Sequence, residues 1–251
     1  MGHLQTKFER ASRTYENHSE VQRKMAVHLV CQIPPIRPRS ILELACGTGH
    51  LTLELARRFP AVPLLATDVS EGMLERTREK LEGVIESLEM TLLDAADVDH
   101  CRADLIASNA LVQWFPDLGF HFEKVAKALP SGGHYALSAF CSTNFPELNE
   151  ILASPPFEYR EFPGHTLERA QAVAGESGLE VLHASQEVLP VLYPSARDFL
   201  VMLKYTGAVR TPEKPFSRAR MLSLVRQLQD RQTQEGFVAT WKPWYLVLRK
   251  P

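Results

Sequence analysis

Apolar residues recur at helical spacing through the first 32 residues: Val21, Met25 and Leu29, with Val27 and Val30, stand among charged ones and predict an amphipathic helix or a pair of helices. The stretch 33–39, Ile-Pro-Pro-Ile-Arg-Pro-Arg, ends that pattern, because three prolines in five residues cannot continue a helix. From Ser40 the chain changes period. Short apolar runs at 41–45, 62–69, 88–94, 103–112 and 132–140 read as strands, and 51–59, 72–82 and 122–129 between them read as helices. Apolar runs without polar alternation are what a sheet covered on both faces requires. The expected fold is therefore α/β, with a doubly wound, mostly parallel sheet over residues 40–140. After Phe140 the alternation breaks down among prolines and aromatics. A helix at 166–177, a strand at 179–189, two more helices and a closing strand pair near 237–250 are expected. Ser195 and Asp198 form a capping box for a helix over 196–206, which Gly207 would end. The whole is expected to be one domain, with N-terminal helices at 1–32, the α/β core at 40–140, an insertion and helices at 141–235 and closing strands at 236–251.

Chemistry enters at the segment Ile41-Leu-Glu-Leu-Ala-Cys-Gly-Thr-Gly-His50, an expected strand that runs through a glycine turn into a helix. Gly47 and Gly49 have no Cβ to keep the backbone from a tight turn or a ligand from close approach. Asp68, at the end of the second expected strand, lies where an acid can accept both hydroxyls of a ribose. Strand, glycine turn, helix and acid together point to a bound nucleoside. A pyrophosphate-binding turn would want a third glycine where the chain has Thr52, and the carboxylate of Glu43 would repel phosphate while suiting a cation. A nicotinamide oxidoreductase is disfavoured on both counts.

Composition narrows the field. The 251 residues carry 28 Lys and Arg against 30 Asp and Glu, a formal net charge of −2, and 45% are hydrophobic. That balance argues against a protein that coats nucleic acid or an anionic membrane over its whole surface. No run of apolar residues is long enough to span a bilayer, and the first twenty residues mix charges without an apolar stretch, so neither a membrane span nor a signal peptide is expected. Cys31, Cys46, Cys101 and Cys141 form no Cys-x-x-Cys pair and the nine histidines no His-Glu-x-x-His, so no metal is expected, and a reduced, cytoplasmic protein is. Charge is unevenly spread: residues 197–226 hold seven basic side chains against two acidic ones.

The glycine segment resembles the first motif of class I S-adenosylmethionine methyltransferases, with Ala45 standing where that family usually has glycine. Segments outside it are similar to the malonyl-acyl-carrier-protein O-methyltransferases of biotin synthesis. They include residues 8–22 and 21–26, Ser108-Asn-Ala-Leu-Val-Gln-Trp-Phe115, and Tyr193 to Leu200 running into Leu203-Lys-Tyr-Thr-Gly-Ala208. Ser19 departs from the alanine expected there. The resemblance implies that S-adenosylmethionine is held by Gln22, Glu43, Ala45, Cys46, Gly47, Thr48, Gly49, Asp68, Val69, Met73, Asp94, Ala95, Asn109 and Leu111. Asp68 would take the ribose, Val69 and Met73 would flank the adenine, and Asp94 would meet its amino group. Tyr15, Gln113 and Trp114 are implied at the reacting centre, with Tyr15 on a lid.

The resemblance also implies the reaction, methylation of the free carboxylate of a malonyl thioester on acyl carrier protein, or on coenzyme A. A carboxylic acid of that kind is already anionic at neutral pH, so no general base is needed and none is evident. A cation should recognise it, and Arg197 and Lys204, seven residues apart on one expected helix, are candidates. Arg210, Lys214, Arg218 and Arg220 extend the basic run and suit an acidic carrier protein. The alternatives are methylation of another small carboxylic acid or of a quinone-type ring, and a cofactor-binding protein without catalysis.

Overall fold

The computed structural model describes residues 2–85, 88–157, 164–206 and 216–251. Two helices open the chain, α1 (Gly2–Ala11) and α2 (Glu20–Gln32), separated by a 3-10 turn at Glu16–His18. Strands and helices then alternate as expected: β1 (Ile41–Leu44), α3 (His50–Arg58), β2 (Leu64–Asp68), α4 (Glu71–Leu81), β3 (Leu88–Leu92), β4 (Leu105–Asn109), α5 (Leu118–Ala128) and β5 (His134–Phe140). The second half contains α6 (Pro146–Leu152), α7 (Leu167–Glu176), β6 (Glu180–Gln186), β7 (Leu189–Tyr193), α8 (Ala196–Thr206), α9 (Arg218–Gln229), β8 (Phe237–Trp241) and β9 (Pro243–Arg249).

Seven strands form one sheet in the order β3-β2-β1-β4-β5-β9-β6. The first five are parallel, and β9 runs antiparallel between β5 and β6. Successive residues of β1 serve opposite faces. Ile41 packs with α2 and α3 through Met25, Leu29, Leu51 and Leu55, whereas Leu42 and Leu44 pack with α5 through Phe122 and Val125. Both faces are thus covered, which is why the strands lack polar alternation. The order reverses between β1 and β4, and the crevice at that switch point is where ligands sit in such sheets.

The closing segment differs from expectation. The strand expected at 179–189 is two strands, and the break falls at Glu187, whose N–H donates to the Pro243 carbonyl. The closing pair does not form a hairpin. β8 pairs with β7 in a separate two-stranded sheet, while β9 enters the main sheet. Only Lys242 separates β8 from β9, with no turn residues to reverse the chain. Its N–H donates to Asn144 Oδ1 at 2.6 Å and its carbonyl accepts from Cys141 N–H. α6 was hidden among prolines, yet Pro146 at its first turn needs no N–H partner there. The Ser195 capping box is present, with the Asp198 N–H donating to Ser195 Oγ at 3.2 Å. Gly207 lies outside the described residues.

Candidate active site

A cavity of about 600 Å³ opens at the switch point. Its floor is built by strand ends, with Ala45 and Gly47 after β1, Asp68 and Val69 after β2, Leu92 to Ala95 after β3, and Asn109 to Leu111 after β4. Gln5, Phe8 and Tyr15 from the N-terminal segment form one wall, and Trp114, Phe115 and Pro116 form another. Phe8 meets the Trp114 ring edge-on at 5.8 Å, so the two walls touch. The N-terminal segment therefore covers one side of the cavity. It is tied to the segment that follows β2 by Gln5, whose Nε2 donates to the Val69 carbonyl at 3.0 Å, and by Glu9, whose Oε2 accepts from Ser70 Oγ and from the Gly72 N–H at the start of α4.

The glycine turn is shaped for a ligand. Gly47 has φ +57°, and a Cβ there would meet nothing within 4 Å, so the backbone faces open space. Ala45, where the resemblance called for glycine, adopts φ +54°. That left-handed conformation is strained for a residue with a Cβ, which is the physical reason for glycine at this place. Asp68 is 6% exposed. Its Oδ2 accepts the Gly47 N–H and its Oδ1 the Ser70 N–H, both at 3.0 Å. Burial pushes its carboxyl above the usual range, opposed by these backbone donors. Asp94 accepts the Ala96 N–H and so caps the short helix Ala95–His100, and it also lines the cavity. Beneath lies Glu43, 1% exposed, with Oε2 lacking a hydrogen-bond partner. Burial pushes its carboxyl up to about 8, opposed by the neighbouring Thr52 and with a smaller push from Asp68. Two carboxyl groups, Asp68 and Asp94, line a largely apolar cavity, and no basic side chain lines it among the described residues. The arrangement fits a ligand that is a nucleoside at one end and a cation at the other.

Of the residues expected to hold cofactor or substrate, Tyr15, Ala45, Gly47, Asp68, Val69, Met73, Asp94, Ala95, Asn109, Leu111 and Trp114 line the cavity. The half-buried Tyr15 has its hydroxyl pushed up by burial and then by Asp68, so it stays protonated and can donate. Asn109 is also a brace: its Nδ2 donates to the Gln22 carbonyl at 2.9 Å and its Oδ1 accepts from Ser138 at 2.6 Å. The others lie one layer back. Gln22 is buried next to the Tyr15 hydroxyl, and Cys46 is buried with its Sγ 3.9 Å from Thr77 Oγ1. The Thr48 hydroxyl donates to Glu16, and Gly49 caps α3 in the left-handed region at φ +78°. Gln113, expected at the reacting centre, does not line the cavity. It is buried, and its Nε2 donates to the Ala110 carbonyl at 2.6 Å, which holds the turn that presents Trp114.

Arg197 and Lys204 also fall outside the cavity lining. α8 buries the face carrying Ala196, Phe199, Met202, Leu203 and Thr206, which leaves both cations on its exposed side. The end of α8 does approach the N-terminal segment, because Tyr205 stacks on His18 at 5.2 Å. Arg218 and Arg220 are exposed on the first turn of α9, while Arg210 and Lys214 lie outside the described residues. Gln5 and Leu92 had no role in the sequence reading. Helical spacing of Gln5 and Phe8 was the available signal for the first, and the leucine pair preceding Asp94 for the second. Among the described residues no group of three metal-ligating side chains converges, and no helix is long and apolar enough to cross a membrane.

Comparison with known proteins agrees with this geometry. Residues 41–133 match the family described as Methyltransferase domain. Over 98% of its length the chain is 29% identical to the malonyl-[acyl-carrier protein] O-methyltransferase of Acetivibrio thermocellus, covering 93% of that protein. The crystal structure of the YcgJ protein from Bacillus subtilis superposes with a TM-score of 0.65 at 16% identity, over 90% of this chain and 97% of that one. Phosphoethanolamine N-methyltransferase 2 of Haemonchus contortus, solved in complex with S-adenosyl-L-methionine, superposes with a TM-score of 0.54 at 15% identity, over 91% of this chain and 52% of that one.

Proposed function

We propose that this chain, an S-adenosylmethionine-dependent methyltransferase, methylates the free carboxylate of a malonyl thioester carried by acyl carrier protein, an early step toward the pimeloyl part of biotin. The observation that carries the reading is the aromatic-walled cavity at the switch point of the sheet, where Asp68 and Asp94 suit a cationic nucleoside cofactor, in a chain related over nearly its whole length to enzymes of that name. Asp68 suits the ribose, Asp94 the adenine, and the turn through Ala45 and Gly47 the amino-acid end. Bound there, S-adenosylmethionine supplies an electrophilic methyl group and leaves as S-adenosylhomocysteine.

The acceptor oxygen needs no activation. A malonyl half-thioester has a carboxylic acid pKa of roughly 4 or below, so the nucleophile is anionic at neutral pH and no proton moves in the step. One O–CH3 bond forms as one S–CH3 bond breaks. Catalysis then rests on alignment and exclusion of water, which the Phe8 and Trp114 contact and the Tyr15 ring provide. The protonated Tyr15 hydroxyl, which lines the cavity, suits a donor that orients the reacting carboxylate. Arg197 and Lys204, outside the cavity, suit recognition of the acidic carrier together with Arg218 and Arg220. The experiment is a methyl-transfer assay with labelled S-adenosylmethionine against malonyl and acetyl thioesters, a small tricarboxylic acid and a quinone-type phenol. Label on the malonyl thioester alone supports the reading, and label on the free acid or the ring overturns it.

A further inference from the structure

The segment that carries Tyr15 is held from outside the cavity by a polar cluster whose members do not line it. Glu16 follows Tyr15 and opens the 3-10 turn at Glu16–His18. Its Oε2 accepts a hydrogen bond from the Thr48 hydroxyl, and its Oε1 accepts one from Lys80 Nζ at 2.7 Å. Lys80 also donates to His50 Nδ1 at 3.0 Å. An ammonium only donates, so the imidazole proton sits on Nε2, which donates to Ser19 Oγ at 2.9 Å. The Ser19 hydroxyl in turn donates to the Glu16 carbonyl at 3.2 Å, closing the ring of bonds. His50 is 8% exposed, and burial with the adjoining Lys80 pushes it down to about 4, so it remains a neutral member of the cluster. Three elements therefore meet at one carboxylate: the lid turn, the glycine loop through Thr48, and α4 through Lys80. The carboxylate also lies at the start of α3, where the helix dipole favours negative charge.

The cavity has Tyr15 and Phe8 as one wall, so a bound ligand is covered on that side only while that wall stays in place. Moving it separates Glu16 from Lys80 and Thr48. We propose that Glu16 and Lys80 are positioning residues, whose ion pair, completed by Thr48, holds Tyr15 over the cavity and sets how tightly the cofactor is retained. The proposal rests on the reading of the cavity as an S-adenosylmethionine site. Because Thr48 belongs to the loop that faces the ligand, lid closure and loop order support each other.

The test uses the full chain and the variants Glu16→Gln, Lys80→Met and Lys80→Arg. Calorimetry gives Kd for S-adenosylhomocysteine, and steady-state rates give KM and kcat for S-adenosylmethionine. Glu16→Gln and Lys80→Met should raise Kd and KM together by about tenfold, the size expected for loss of a charge-assisted hydrogen bond, with a much smaller change in kcat. Lys80→Arg should restore most of the affinity, which a general loss of stability would not do. Kd and KM within twofold of the wild type in both Glu16→Gln and Lys80→Met would overturn the proposal, as would an effect confined to kcat. If Glu16→Gln does not fold, the half-exposed Lys80 carries the test through its own two variants. Wild-type protein that binds no S-adenosylhomocysteine would overturn the reading of the cavity itself, whereas binding that all variants share overturns only the positioning role.

Discussion

Replacing Glu43 with glutamine should uncouple stability from cofactor binding. The carboxyl is 1% exposed and lifted from its ordinary 4.5 to about 8, with burial as the main cause. At pH 7 it is therefore protonated in the folded protein and ionised in the unfolded chain, a difference that costs about 3 kcal/mol of stability. The sign follows from the raised value. The penalty is absent below 4.5, grows as pH rises toward about 8 and is constant above that. Glutamine does not titrate, so Glu43→Gln carries none of this slope. It carries instead a pH-independent cost of about 1–2 kcal/mol for an amide group that needs a partner, since Oε2 has none now. Urea unfolding at pH 5, 7 and 8.5 should show the variant equal to or weaker than wild type at pH 5 and the stronger of the two at pH 8.5. Binding of a cationic cofactor favours the ionised carboxylate, so calorimetry in buffers of different ionisation heat should show proton release with wild type near pH 7 and none with the variant. The variant should also bind S-adenosylmethionine more weakly. A stability difference that does not change with pH would refute the reasoning.

Three further outcomes are expected. Tyr15→Phe keeps the lid ring and removes the donor, so kcat/KM should fall by about 10- to 100-fold, and an unchanged value would show that the hydroxyl does not meet the reacting groups. Ala45→Gly relieves the left-handed strain at φ +54° but loosens the unfolded chain, so thermal unfolding should show a gain of up to about 1 kcal/mol, and a lower Tm would contradict the strain argument. Initial rates with malonyl-acyl carrier protein should drop steeply between low and physiological salt, while those with malonyl-coenzyme A respond less. Equal salt dependence for the two would count against docking on the basic face of α8 and α9.

The central sheet was legible because buried parallel strands are short apolar runs, and Ile41 to Leu44, Leu64 to Asp68 and Leu105 to Asn109 each read that way. The acids at strand ends were legible for the same reason: once β1, β2 and β3 are placed, Asp68 and Asp94 fall beside one crevice. What the local pattern could not carry were pairings decided far along the chain. β8 and β9 are neighbours in sequence, yet β9 inserts between β5 and β6, a choice made by partners more than fifty residues away. The cluster at Glu16 joins residues 32 and 64 positions apart, each of which by itself reads as an ordinary polar surface residue. Arg197 and Lys204 show the converse. Helical spacing correctly put them on one side of a helix, but which side faced the cavity depended on the apolar face that α8 buries against β7 and β8.

The most direct measurement is the intact mass of malonyl-acyl carrier protein after incubation with this protein and S-adenosylmethionine. Methylation of the free carboxylate predicts a gain of one methylene unit on the malonyl carrier, reversed by mild ester hydrolysis, and no gain on the acetyl carrier, which has no free carboxylate. An unchanged malonyl carrier in a preparation that binds S-adenosylmethionine, or an equal gain on the acetyl carrier, would contradict the account.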